Sequence, residues 1–131
     1  MITGIGIDII ETDRIRKACQ KPRFLERVFT VKERELFIKH GNSPLMIAGN
    51  FAAKEAISKA LGTGIGKIGW QEIEILRDHN GKPYVELHNR AFECLESMPA
   101  NYVWVSITHL RSLAAAPVSY THLTLPTNRE V

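Results

Sequence analysis

Between Ser43 and Gly66 the chain reads SPLMIAGNFAAKEAISKALGTGIG, and no other stretch limits the fold so tightly. Ser43 followed by Pro44 is an N-cap with proline at the first helical position, and Gly62 is the residue expected just past a helix end. The spacing predicts one long helix over residues 44–61. On it Ala48, Ala52, Glu55, Ala56 and Lys59 follow three- and four-residue steps and share one side. Small side chains there let a neighbour approach closely, and a carboxylate sits in the middle of that surface.

The neighbour is predicted to be the first ten residues, MITGIGIDII. They alternate with period two, placing Ile5, Ile7 and Ile9 on one face and Gly4, Gly6 and Asp8 on the other. If the bare glycine face meets the alanine face, Asp8 and Glu55 come together. Two carboxylates in a partly buried site repel, and one must protonate unless a cation neutralises them. Mg²⁺ answers that problem, since it takes one or two carboxylates together with waters and phosphates. A second reading pairs Glu55 with Lys59 at i,i+4, worth a few tenths of a kcal/mol.

The remaining elements follow from punctuation. Residues 11–39 turn helical, with interruptions at Pro22 and near Thr30. QEIEILRD reads as an alternating strand, HNGKPYVEL as a turn into a short strand, NRAFECLES as a helix and NYVWVSITH as a largely buried strand. Pro117 and Pro126 are expected to interrupt what would be a final strand. Residues 1–116 therefore read as a single domain, and 117–131 as an atypical tail, either a frayed end or a stretch foreign to the domain.

Composition narrows the class. A chain of 131 residues, 44% hydrophobic, supports one real core. No apolar run approaches the ~18 residues that cross a bilayer, and the N-terminus lacks the basic segment of a secretory signal. Cys19 and Cys94 have no metal-type spacing. The expectation is a soluble, reduced, cytoplasmic protein that binds no membrane.

The formal charge of +3 is unevenly spread. Nine of the 17 Lys and Arg residues are Arg14, Arg16, Lys17, Lys21, Arg23, Arg27, Lys32, Arg34 and Lys39, and only Asp13, Glu26, Glu33 and Glu35 stand with them. This segment is either a solvated helical surface or a positive field for an acidic partner. A nucleic-acid module is the runner-up, but the interleaved aromatics and recognised motifs of such modules are missing.

GTGIGK is neither a dinucleotide fingerprint nor a Walker loop, and it follows a helix C-terminus, where the dipole repels anions. Phosphate binding there would fall to backbone N–H groups, Lys59 and Lys67. His109, closing VWVSITH beside Thr108, is either a structural histidine or one that binds an anion or relays a proton in a cleft. The other histidines have no mutual spacing, and no G-x-S-x-G, H-E-x-x-H or paired C-x-x-C occurs.

Taken in order, GIGIDIIETDRI, RFLERVFTVKE, FAAKEAISKALGTGIG, EIEILRDHNGKPYVEL and VWVSITH resemble the holo-acyl-carrier-protein synthases, small bacterial-type 4′-phosphopantetheinyl transferases. The resemblance implies an α+β fold, a small antiparallel sheet packed against a long central helix, in a homotrimer with active sites between subunits. It implies transfer of the 4′-phosphopantetheine arm of coenzyme A to a serine of apo-acyl carrier protein, releasing adenosine 3′,5′-bisphosphate. By the same resemblance, Asp8 and Glu55 bind Mg²⁺, and Lys59 contacts the coenzyme A phosphates and assists the leaving group. Gly64 and Gly66 accommodate the nucleotide, Thr108 and His109 lie near its 3′-phosphate, and Asn80, Gly81, Lys82 and Pro83 approach the adenine from the adjoining protomer. Arg14, Lys21, Arg23, Phe24 and Arg27 form the dock for the acidic carrier protein. The general base is open between Glu55, through a metal-bound water, and direct activation by the metal. PVSYTHLTLPTNREV departs from the family's alternating closing strand, which bears on subunit packing.

Overall fold

Every layer of the fold is laid against one helix. A computed structural model of the chain describes residues 2–98, 102–109 and 112–121. Its elements run β1 (Ile2–Glu11), α1 (Thr12–Cys19), α2 (Phe24–Val28), α3 (Val31–Lys39) and α4 (Pro44–Ala60), then a 3-10 turn (Trp70–Glu72). After it come β2 (Ile73–Arg77), β3 (Pro83–Leu87), α5 (Asn89–Glu96), β4 (Tyr102–Val105), β5 (Thr108–His109) and β6 (Leu113–Thr121). The fold is α+β, as expected, with every strand pair antiparallel. Among the described residues no helix is long and apolar enough to cross a membrane.

The long helix begins and ends where its caps place it. Ser43 Oγ accepts from Met46 N (3.4 Å), Pro44 opens the first turn, and Gly62 leaves it at φ +80°. Eleven of its 17 residues are buried, so it is a core element rather than a surface helix with one apolar stripe. β1 and β4 flank β6 in one sheet, and β5 pairs with β6 beyond the end of β4. The inward face of β6 (Ala114, Ala116, Val118) and the glycine face of β1 lie on α4. A Cβ on Gly6 would stand 2.4 Å from Ala56 O and 3.0 Å from Ala60 N, both backbone atoms. Strand and helix are thus as close as their main chains allow. Ile5, Ile7 and Ile9 point the other way and are 74%, 62% and 62% exposed.

Two expectations need correction. Pro117 does not interrupt the last strand, because β6 runs through it opposite Ile7. A strand residue's N–H and C=O point to the same edge. Pro117 O accepts from Ser106 N (3.2 Å), so the missing donor faces the gap between β4 and β5, not the β1 ladder. Pro126 lies outside the described residues. Nor is VWVSITH one largely buried strand. It breaks at Ser106–Ile107, and Tyr102 and Trp104 lie exposed on either side of buried Val103.

A second sheet, the β2–β3 hairpin, covers another side of α4, and the expected breaks at Pro22 and Thr30 divide α1, α2 and α3. Thr30 and Glu33 form a reciprocal capping box at the start of α3. Phe24, Phe29, Phe37, Phe51 and Trp70 make an aromatic cluster with centroid separations of 4.8–6.2 Å.

Beneath that cluster lies a charged pair that no periodicity signalled. Lys54 and Glu33 are fully buried and 2.7 Å apart. The three ammonium hydrogens of Lys54 go to Glu33 Oε1, Trp70 O (2.9 Å) and Ile73 O. Besides Lys54, the Glu33 carboxylate accepts from Thr30 N (3.0 Å), Asn50 Nδ2 (3.3 Å) and Ile75 N (3.1 Å). Burial pulls the Lys54 amine below its ordinary value, and Glu33 opposes the shift. The pair locks α3, α4 and β2 together.

Removing one partner strands the other. Lys54→Met should cost about 3–5 kcal/mol, because Glu33 remains buried and unneutralised. Gly6→Ala should cost about 1–3 kcal/mol by driving the strand off the helix. Urea denaturation at matched slope checks both, and a loss under 0.5 kcal/mol in either would contradict the packing described.

Candidate active site

From Gly6 the strand runs two residues to Asp8, on the same inward face. Its carboxylate meets the last turn of α4, where Lys59 Nζ donates to Asp8 Oδ1 at 2.8 Å. Asp8 is 17% exposed and Lys59 55% by side chain, so the pair sits at the lip of the helix–strand seam. The hydrogen bond to Asp8, followed by its charge, holds the Lys59 amine above its usual value. Lys59 is therefore a fixed cation paired across the seam, not with Glu55 along its own helix.

Glu55 lies one turn earlier on α4. Burial pushes its carboxyl above the ordinary range and the charge of Asp8 pushes the same way, while Lys59 and Arg14 pull back. Three elements thus focus two acids and two bases on one spot: β1 gives Asp8, α1 gives Arg14, and α4 gives Glu55 and Lys59. Among the described residues Glu55 has no ion-pair partner within 4.0 Å, and no cluster of three or more His, Cys, Asp or Glu exists. The donor set is two hard carboxylate oxygen groups that repel each other. That set suits a hard divalent ion whose remaining ligands are water or substrate oxygens.

Beyond α4 the loop reverses tightly, with Thr63 N and Gly64 N both bonded to Ser58 O (3.2 and 3.1 Å). Gly64 and Gly66 have φ of +68° and +128°, and a Cβ on either would meet nothing within 4 Å. Glycine is required there by conformation, and the space over the loop is open. Thr63 Oγ1 is buried without a hydrogen-bond partner among the described residues. Nothing in the spacing had singled this hydroxyl out.

The other expected nucleotide residues gather elsewhere. His109 on β5, with Gly81 and Pro83 of the β2–β3 hairpin, lines a cavity of about 480 Å³. Its other walls include His40, Ser43 and Met46 at the N-terminal end of α4, and Arg77 at the end of β2. Thr108 is exposed on β5. Asn80 is exposed in a turn that Asp78 closes by accepting from Asn80 N (2.8 Å) and Lys82 N (2.9 Å). Lys82 turns its ammonium toward Trp104, 5.8 Å from the ring centre. A helix of this length spans about 25 Å. Asp8, Glu55, Lys59 and the glycine loop therefore lie at one pole of α4, and His109 and the hairpin turn at the other.

The basic segment is largely solvent-facing: Arg14, Lys21, Arg23 and Arg27 are exposed on α1, α2 and the link between them. Phe24 is half-buried in the aromatic cluster, 6.1 Å from Phe29 and 6.2 Å from Phe51. Glu33 is spent in the core, which leaves this surface more positive than the sequence count implies.

Known proteins place this geometry. A family model described as the 4′-phosphopantetheinyl transferase superfamily matches residues 4–114. Holo-[acyl-carrier-protein] synthase of Alkaliphilus metalliredigens is 54% identical over 117 residues, 88% of this chain and 96% of the relative. That of Clostridium perfringens is 49% identical over 121 residues, 88% and 91% of the two chains. The Helicobacter pylori holo-[acyl-carrier-protein] synthase in complex with coenzyme A superposes with a TM-score of 0.79 at 34% identity, covering 89% of this chain and 99% of its own. A Bacillus anthracis holo-(acyl-carrier-protein) synthase in complex with CoA (3′,5′-ADP) gives 0.77 at 39% identity, covering 94% and 99%. The chain therefore belongs to the 4′-phosphopantetheinyl transferase superfamily, as a transferase of the holo-[acyl-carrier-protein] synthase family.

Proposed function

We propose that this chain transfers the 4′-phosphopantetheine group of coenzyme A to a serine of apo-acyl carrier protein in the cytoplasm, in a Mg²⁺-dependent reaction that releases adenosine 3′,5′-bisphosphate. The observation that carries the reading is the convergence of Asp8, Glu55 and Lys59 from remote parts of the chain. A new bond forms between the serine oxygen and the pantetheine-side phosphorus. The bond from that phosphorus to the bridging oxygen breaks, and the nucleotide bisphosphate leaves with the electron pair.

Asp8 and Glu55 would hold Mg²⁺, which when bound supplies positive charge to the pyrophosphate oxygens. Lys59, a cation at every working pH, is placed to stabilise negative charge on the leaving phosphate. Arg14 adds a second positive charge from α1. The serine proton would pass to Glu55 through a bound water, or be released by the positive charge held at the site itself. The open backbone at Gly64 and Gly66 would admit the nucleotide without side-chain obstruction.

The two poles of α4 account for the rest. His109, Thr108 and residues 80–83 would complete the site of the adjoining protomer, and three copies close a ring. The exposed isoleucine row of β1 supports that assembly, since apolar patches of this kind mark interfaces. Arg14, Lys21, Arg23, Phe24 and Arg27 would dock the acidic carrier, with its charge steering association. No nucleic acid or membrane is involved.

Mass spectrometry of an apo-carrier incubated with enzyme, coenzyme A and Mg²⁺ should show the added phosphopantetheine. Asp8→Asn and Glu55→Gln should each lower kcat/KM by about 10³-fold, the scale of losing a group that stabilises transition-state charge. Folded wild-type enzyme that adds no mass would sink the proposal.

The raised Glu55 carboxyl has a further consequence. A folded-state value above the unfolded one means the native state binds more protons, so stability falls as pH rises through that window. The cost grows as pH rises through that window and disappears in acid. Without metal, Glu55→Gln should therefore raise Tm by about 2–6 °C at pH 7.5 and leave it unchanged near pH 3.5. Calorimetry at the two pH values checks the sign.

A further inference from the structure

Four charged side chains meet at the C-terminal pole of α4, and their formal charges cancel. The charges acting on Glu55 are those of Asp8, Lys59 and Arg14. Asp8 and Glu55 are the acids, and Lys59 and Arg14 the matching cations. The cancellation is not evenly shared. Lys59 Nζ donates to Asp8 Oδ1 at 2.8 Å, a charge-assisted bond between residues 51 positions apart in the chain. Among the described residues neither Glu55 nor Arg14 has an ion-pair partner within 4.0 Å. The pole thus presents one paired carboxylate beside one that is not.

A divalent ion held by both acids would meet this arrangement at a disadvantage. It would share the Asp8 carboxylate with an ammonium, and two cations on one small group repel. It would also bring positive charge to a cluster whose own charges already balance. A pyrophosphate reverses both objections. Its negative charge balances the ion, and its oxygens offer Lys59 a partner in place of Asp8. Lys59 is free to make that exchange, because its side chain is more than half exposed and carries a compact charge on a flexible stem. Asp8 cannot follow it, since its strand is pressed against the helix backbone at Gly6.

We infer that Lys59 is the resident counter-ion of Asp8 and gates the metal site: divalent ion and pyrophosphate bind as a cooperative pair, because the pyrophosphate draws the ammonium off the carboxylate that the ion takes. This rests on the proposed use of Mg²⁺ and coenzyme A, and gives Lys59 a task that precedes the one at the leaving phosphate. By reciprocity the ion strengthens coenzyme A binding by the same factor.

Calorimetry without carrier protein tests the exchange, since no transfer then occurs. Mg²⁺ is titrated into wild type, Lys59→Met, Lys59→Arg and Arg14→Gln, each alone and with saturating coenzyme A. Wild type should bind Mg²⁺ weakly alone and about 10- to 100-fold more tightly with coenzyme A, a usual range for coupling between two ligands. Lys59→Met should bind Mg²⁺ alone about 10-fold more tightly than wild type, even though part of its phosphate site is gone. Lys59→Arg keeps the cation and should stay within about three-fold of wild type. Arg14→Gln removes the same net charge, yet should shift the affinity by less than about two-fold, because an exposed charge without a direct contact is screened. Matched melting curves establish that each variant folds. A Lys59→Met affinity for Mg²⁺ alone equal to that of wild type overturns the inference, as does an equal gain in Arg14→Gln. Mg²⁺ that binds no form of the protein, with or without coenzyme A, removes the metal from the proposed reaction as well. Full coupling through Lys59 in a protein that modifies no carrier would sink the reaction and leave the exchange standing.

Discussion

The closeness of β1 to α4 is the constraint on which everything else rests. Gly6 lies where any side chain would strike the backbone of Ala56 and Ala60. That contact does more than fill the core. It sets how near Asp8 comes to the last turn of the helix, and hence that Lys59 reaches Asp8 at 2.8 Å while Glu55 feels its charge. A seam lined with larger residues would pack equally well but would hold the two acids farther apart. The small residues are thus a positioning device, and the electrostatics of the site follow from sterics.

Lys54 and Glu55 are neighbours in sequence and opposites in physics. About 100° apart around the helix, they face different worlds. Lys54 spends all three donors inside the protein, on two main-chain carbonyls and a carboxylate whose oxygens are themselves engaged. Such a pair stores no reactivity, and its function is to fix three elements at once. Glu55 is desolvated, repelled by Asp8 and left without an ion-pair partner among the described residues. Local electrostatic strain of this kind persists where the surrounding structure over-determines it. Saturated polar groups one position away supply that rigidity, so the tension at Glu55 cannot relax by moving the helix.

Much of this was legible in the chain, for reasons that can be named. Ser43, Pro44 and Gly62 act locally, so they gave the limits of α4 to within one residue. The period-two glycine face of β1 and the alanine side of α4 are complementary surfaces, and from them the meeting of Asp8 and Glu55 could be argued before any coordinates. What escaped was decided by long-range context. Glu33 looked like one more acid among nine cations, and nothing in the spacing set Lys54 apart, because burial of a charge depends on partners 16 to 42 residues away. Pro117 looked disruptive because its harmless orientation depends on where β4 happens to break. The helix took the bare side of β1, as the small residues on both surfaces implied, and left the isoleucine row exposed.

The separation of the two poles is what no local pattern could contain. The resemblance set Thr108, His109 and residues 80–83 around one nucleotide with Asp8 and Glu55, in a site between subunits, but a linear motif carries no distances. In the fold, α4 stands between them as a rigid spacer, its C-terminal turn at the carboxylates and its N-terminal turn at the cavity with His109 and Arg77. One protomer cannot close both ends around a single small nucleotide. In the proposed assembly a second copy would do so, by bringing its N-terminal pole to the first copy's carboxylate pole. The length of α4 is thus the physical reason that a complete site would call for two chains, and a head-to-tail contact repeated by a closing rotation would give the proposed ring.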